Sequence, residues 1–156
     1  MAAGSKQELY DRTLQRIRDL IAGEDDPIAI MATVGGELHH SCDYFDWTGF
    51  HRVVSPGLLK IGPYQGTHGC LRIPFDRGVC GAAARTRTTQ VVPDVRQFRG
   101  YIACSSSTRS EIVVPVMAPG GTLVAVLDVD SDRLDAFDEV DQMNLEKVCA
   151  LVGAGY

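Results

Sequence analysis

Apolar residues recur at Tyr10, Leu14, Ile17 and Ile21, a spacing of three and four that lays one stripe along a helix. Ser5 and Glu8 stand at capping-box spacing ahead of it, and Gly23 supplies a stop. A second helix is predicted from Asp25 or Asp26, with Pro27 at its first position, through Ile28, Met31 and Leu38. Gly35-Gly36 weakens its middle. From Tyr44 the pattern changes to aromatic and β-branched residues, which predicts a strand over Phe45 to Val54, a turn at Ser55-Pro56-Gly57 and a second strand from Leu58 to Ile61. Short strands follow at Cys70 to Ile73 and Thr89 to Val92, each closed by a proline, with a small-residue helix from Gly78 to Arg85 between them. Asp94 to Ser110 has no clean period, and so long a loop inside a compact domain usually carries function. Glu111 to Met117 and Thr122 to Val129, joined across Pro119-Gly120-Gly121, form a central hairpin. Asp138 and Asp141 open a last helix whose buried stripe is Leu145, Val148, Cys149 and Val152. The order predicts an α+β fold, with N- and C-terminal helices packed on one side of a mostly antiparallel sheet.

Composition narrows the function classes. A chain of 156 residues fits one domain, expected over 1–156, and buries about 68–70% of its unfolded surface on folding. Lys and Arg number 15 against 20 Asp and Glu, a net charge of -5, which argues against nucleic acid as a partner. No apolar run approaches the ~18 residues of a membrane span. Met1 to Glu8 lacks the apolar segment of a secretory signal, so a cytoplasmic setting is expected.

Five cysteines in a reducing compartment do not read as a structural disulfide framework, and none forms a C-x-x-C pair. Cys149 lies on a helix stripe and Cys42 beside His39 and His40, both read as core thiols. Cys80 falls in the first turn of the small helix, where the helix dipole lowers a thiol pKa. Cys104 falls in the long loop between Arg99 and Arg109, polar and basic surroundings that suit a thiolate. Cys70 follows the glycine-rich turn Gly66-Thr67-His68-Gly69. Spacing alone leaves buried and reactive readings open for these three. Among the carboxylates, Glu111 opens one central strand, while Asp128 and Asp130 close its neighbour on a shared face. Solvated strand ends explain them equally well, unless the loop bearing Cys104 lies alongside. With Trp47 near, such acids would hold a small cationic or zwitterionic ligand. His68-x-Cys70 is the one metal-like pairing, and without i, i+4 histidines no metal and no cofactor are expected.

Together these stretches resemble the free methionine-(R)-sulfoxide reductases, enzymes built on a GAF domain. The resemblance is carried by Ile61 to Gly66, Cys70-Leu71-Arg72-Ile73-Pro74-Phe75, Gly78-Val79-Cys80-Gly81, Thr89 to Val95, Tyr101-Ile102-Ala103-Cys104, Ser110 to Val116 and Val126 to Ser131. It implies a single GAF domain with Cys104 as the nucleophile that attacks the sulfoxide sulfur. Cys70 is then the resolving cysteine that closes a disulfide with Cys104, and Cys80 an accessory thiol. Glu111, Asp128 and Asp130 are implied as the acids of the substrate pocket, and Trp47 as the aromatic against the substrate methyl. His51 stands where the family commonly has tyrosine. A thioredoxin-like dithiol as reductant and a homodimer are further implications. The competing class is a GAF-type sensory module that binds a small ligand without changing it, and the three spaced cysteines favour the enzyme.

Overall fold

The computed structural model describes residues 3–156. Four α-helices and six strands follow in the order α1 (Ala3–Leu20), α2 (Pro27–Ser41), β1 (Trp47–Ser55), β2 (Leu58–Gln65), β3 (Arg72–Pro74), α3 (Gly78–Thr86), β4 (Gln90–Val92), β5 (Ser110–Met117), β6 (Leu123–Ser131) and α4 (Glu139–Gly153). The strands form one antiparallel sheet in the order β3-β2-β1-β6-β5-β4. The expected α+β class and the mostly antiparallel sheet are both present.

Alternation along the central strands sorts the side chains into two cores. Phe50, Ile112, Val114, Val116, Leu127 and Val129 face α1, α2 and α4, where Tyr10, Ile17, Met31, Leu38, Leu145 and Val148 meet them. Cys42 and Cys149 belong to this core, as their positions predicted. The terminal helices thus share one side. The opposite face carries Val113 and Val126, packed under Val79, Cys80, Ala83 and Ala84 of α3.

Local signals explain most boundaries. Asp26 caps α2 by accepting from the Ile28 N–H, with Pro27 first in the helix, and α2 passes through Gly35-Gly36 without a break. Ser5 does not cap α1, because the helix already runs from Ala3. Strand β2 continues past the predicted Ile61 to Gln65. It does so by slipping register against β1 between Gly49 and His51, opposite Gly62-Pro63, so that Pro63 needs no ladder hydrogen bond.

One buried carboxylate ties the helical layer together. Asp141 has no exposed surface, and its Oδ2 accepts from Lys6 Nζ at 2.7 Å and from the Asp138 N–H at 2.8 Å. Its Oδ1 accepts from the Tyr10 hydroxyl at 2.7 Å and from the Tyr44 hydroxyl. Asp138 closes a capping box with it. Removing Asp141 strands two buried hydroxyls and takes from the buried Lys6 ammonium the nearer of its two carboxylates, leaving it Asp138 at 3.0 Å, so Asp141→Ala is expected to destabilise the fold by about 3–5 kcal/mol in urea unfolding.

Candidate active site

The site lies on the α3 face of the sheet, where strand register sets acids side by side. Trp47 pairs with Asp130, and Asp130 with Glu111, so one row crosses β1, β6 and β5. In the next row Gly49 pairs with Asp128, and Asp128 with Val113. Because side chains two apart share a face, Trp47, His51, Glu111, Asp128 and Asp130 all point toward α3 and the loop before β5.

That loop is pinned at both ends and in its middle. The Val95 N–H donates to the Arg109 carbonyl at 2.9 Å, and the Arg109 N–H to the Ser131 carbonyl at 2.8 Å. The Gly78 N–H, at the start of α3, donates to the Gly100 carbonyl at 3.1 Å. Gly78 has φ +67°, and a Cβ there would stand 3.2 Å from the Ile102 side chain. Only glycine lets the loop settle this closely on the helix start.

Cys104, carried on this loop, is joined to Cys70 by a disulfide with Cα atoms 5.4 Å apart. Cys70 sits just ahead of β3, behind the turn that encloses Trp47. That indole donates from Nε1 to the Thr67 carbonyl at 2.7 Å and stacks between His51 and Tyr64 at 5.6 and 5.3 Å. Gly49, Gly66 and Gly69 line its ring, and a Cβ on any of them would come within 2.9 Å of an indole atom. The ring is therefore fixed by backbone on three sides.

Two adjoining pockets share Cys104, Ser105, Asp128 and Asp130. One extends over Cys80, Tyr101 and Glu111, the other over Trp47, His51, His68 and Cys70. All eight residues singled out in the sequence therefore line one crevice. Tyr101 and Ser105 join them without having been singled out, as does His68, considered above only as half of a metal-like pairing. Tyr101 could have been suspected only as the aromatic three residues before Cys104.

Burial decides between the two readings of the acids, and the electrostatics correct two expectations for the cysteines. Glu111 and Asp128 are not solvated strand ends, since they are 5% and 6% exposed. Burial, then Asp128 and Asp130, hold the Glu111 carboxyl well above the usual carboxylate range. Asp130 is shifted the same way by burial, Asp128 and Asp46. The Tyr101 hydroxyl, half-buried over the acids, is also pushed up, by burial first and the carboxylates second. Among the described residues no lysine or arginine pairs with these acids, and Arg99 and Arg109 do not line the pockets, so the basic setting expected for Cys104 is replaced by an acidic one. Cys80 is not an activated thiol either. Burial and the charges of Asp128 and Glu111 push its pKa well up, outweighing the helix dipole.

His51 is 2% exposed, with Nε2 3.4 Å from Asp128 Oδ2. Its Nδ1 and Asp128 Oδ1 are buried without a hydrogen-bond partner. The arrangement can bind a cationic head against carboxylates, donate a proton from a carboxyl whose pKa burial raises, and cycle two thiols through a disulfide.

Comparisons with known proteins agree with this chemistry. The GAF domain family matches residues 3–155. The free methionine-R-sulfoxide reductase of Saccharomyces cerevisiae is 34% identical over 154 residues, covering 95% of this chain and 86% of that protein. A structure of the Neisseria meningitidis free methionine-R-sulfoxide reductase in complex with its substrate superposes with a TM-score of 0.91 at 39% identity, over 96% of this chain and 89% of that one. A Burkholderia vietnamiensis structure described as a putative GAF sensor protein superposes equally well, TM-score 0.91, at 43% identity over 96% and 94% of the two chains.

Proposed function

The chain belongs to the GAF domain family, in the group that includes the free methionine-R-sulfoxide reductases, and from that premise we propose that it reduces free L-methionine-(R)-sulfoxide to methionine. The observation that carries this reading is the Cys70–Cys104 disulfide bordering a pocket floored by three carboxylates. A sensory module would have no use for a dithiol opening onto its ligand site.

In the reduced protein the Cys104 thiolate attacks the sulfoxide sulfur. The sulfoxide S–O bond breaks readily only once its oxygen is protonated. Glu111 and Asp130, whose pKa values burial and neighbouring carboxylates raise, are the carboxyls suited to supply that proton. The S–O bond of the protonated adduct then breaks as the hydroxyl passes to the Cys104 sulfur, so that the sulfoxide leaves reduced to methionine and Cys104 is oxidised to a sulfenic acid. The Cys70 thiol condenses with it, expelling water and closing the disulfide. A thioredoxin-like dithiol then returns two electrons and two protons. Cys70 and Cys104 are both partly exposed, which supports access by a protein reductant. Cys42, Cys80 and Cys149 remain free thiols, which fits a reducing cytoplasm. Trp47 takes the substrate methyl group, and the remaining carboxylate charge takes the ammonium of the free amino acid.

Glu111→Gln, Asp128→Asn and Asp130→Asn are each expected to lower kcat/KM by at least about tenfold, or roughly 1.4 kcal/mol of transition-state stabilisation. Stability should move the other way for Glu111→Gln. A carboxyl whose pKa rises on folding weakens the fold once the pH exceeds its ordinary value, 4.5 for Glu, and the penalty grows until the folded pKa is passed. The variant should therefore melt above wild type at pH 8, with the difference vanishing near pH 4. A lower melting temperature at pH 8 contradicts the buried-acid reading.

Substrate choice is tested with N-acetylmethionine-(R)-sulfoxide, which lacks the ammonium. The expected result is a kcat/KM at least about tenfold below that of the free amino acid. Equal rates would show that the acids do not read the ammonium.

A further inference from the structure

Three of the pocket's buried groups, one of them the substrate acid Asp128, form a donor set of a second kind. One nitrogen of His51, the Cys80 sulfur and one oxygen of Asp128 lie within 4.8 Å of one another. They come from β1, α3 and β6, so the rigid sheet and the helix packed on it hold them together, with no loop involved. We propose that His51, Cys80 and Asp128 form a binding site for a divalent transition-metal cation of the zinc class.

Thiolate, imidazole and carboxylate are the mixed sulfur, nitrogen and oxygen donors that zinc accepts, and the sulfur and nitrogen disfavour magnesium and calcium. All three side chains are more than nine-tenths buried, and two carry orphaned polar atoms, His51 Nδ1 and Asp128 Oδ1. Both residues therefore have unused hydrogen-bonding capacity in a buried site, which costs free energy and leaves them free to ligate a cation. Around the triad the setting is acidic, since Glu111 and Asp130 lie within 4.8 Å of an Asp128 oxygen and no lysine or arginine among the described residues pairs with them. The pocket over Cys80 and Asp128 opens to solvent beside Cys104, which gives the cation an entry path and leaves a coordination position facing the cavity. On binding, the Cys80 thiol releases its proton to solvent and the thiolate bonds to the metal, with no change of oxidation state.

Metal binding does not use the redox dithiol, because Cys80 is free while Cys70 and Cys104 are bonded to each other. Its consequence for turnover does rest on that reading: a cation here occupies the acids proposed to take the substrate ammonium, so zinc should inhibit competitively.

The test uses the full chain with the Cys70–Cys104 disulfide closed, so that the redox dithiol cannot chelate, and Co2+ as the spectroscopic probe. One Co2+ per chain should bind with a near-ultraviolet thiolate-to-cobalt band, and Zn2+ should erase it. Cys80→Ser should lose the band, His51→Phe should weaken binding by at least about tenfold, and Cys149→Ser should leave both unchanged. Should Cys80→Ser fail to fold, Cys80→Ala removes the same donor without adding a polar group. Absence of the band in the wild-type chain, or its persistence in either Cys80 variant, overturns the proposal.

Discussion

Cys104→Ser is expected to bring turnover of free methionine-(R)-sulfoxide below about one-thousandth of wild type, a loss of about 4 kcal/mol of transition-state stabilisation. A serine hydroxyl is not deprotonated at neutral pH and carries no sulfur to oxidise, so both the attack and the sulfenic acid disappear. Folding should survive, because Cys104 lies on a partly exposed loop held by backbone bonds at Val95, Arg109 and Gly100. The measurement is methionine release from prereduced protein, with far-ultraviolet circular dichroism to confirm the fold. Cys149→Ser, in the helix-side core, should react normally. Near-normal release by Cys104→Ser would move the nucleophile elsewhere.

Cys70→Ser should split what Cys104→Ser abolishes. Resolution follows attack, so prereduced Cys70→Ser should still release about one methionine per chain while steady-state turnover with thioredoxin falls by at least about a hundredfold, or 2.7 kcal/mol. A purely structural disulfide predicts something else: both variants would lose stability together, with no difference between a first and a later turnover. A Cys70→Ser protein that cycles at the wild-type rate would remove Cys70 from the reaction.

The fold was legible where local chemistry and packing agree. Asp26-Pro27 and Asp138 with Asp141 start α2 and α4 where their capping patterns predicted. Period-two alternation in β5 and β6 placed Asp128 and Asp130 on one face, and register then set Asp130 beside Glu111. Ser5 misled because three residues cannot show whether helical turns already precede them. Gly62-Pro63 hid the length of β2, since a slip in register accommodates a proline that a regular ladder excludes.

The site was legible as a list of residues and not as an environment. Burial is a property of what covers a residue, and Ile102, Tyr101 and α3 reach the acids from distant parts of the sequence. That cover decides between solvated strand ends and pocket acids, and it raises the carboxyl pKa of Glu111 and Asp130. It also reversed the expected shift of Cys80, because desolvation acts on the whole thiolate charge while a short helix offers a fraction of one. The three glycines around Trp47 were visible only as turn residues, and their closeness to the indole follows from how β1 and the turn before β3 fold onto each other.

Reduction of the free amino acid is tested most directly in a single turnover without any recycling partner. Fully reduced protein is mixed with L-methionine-(R)-sulfoxide, and methionine and remaining thiols are counted. About one methionine should appear and two thiols disappear per chain, with the Cys70–Cys104 bond recovered in peptide mapping and nothing released from the S epimer. No methionine from the R epimer, or methionine released with all five thiols intact, would contradict the reductase assignment.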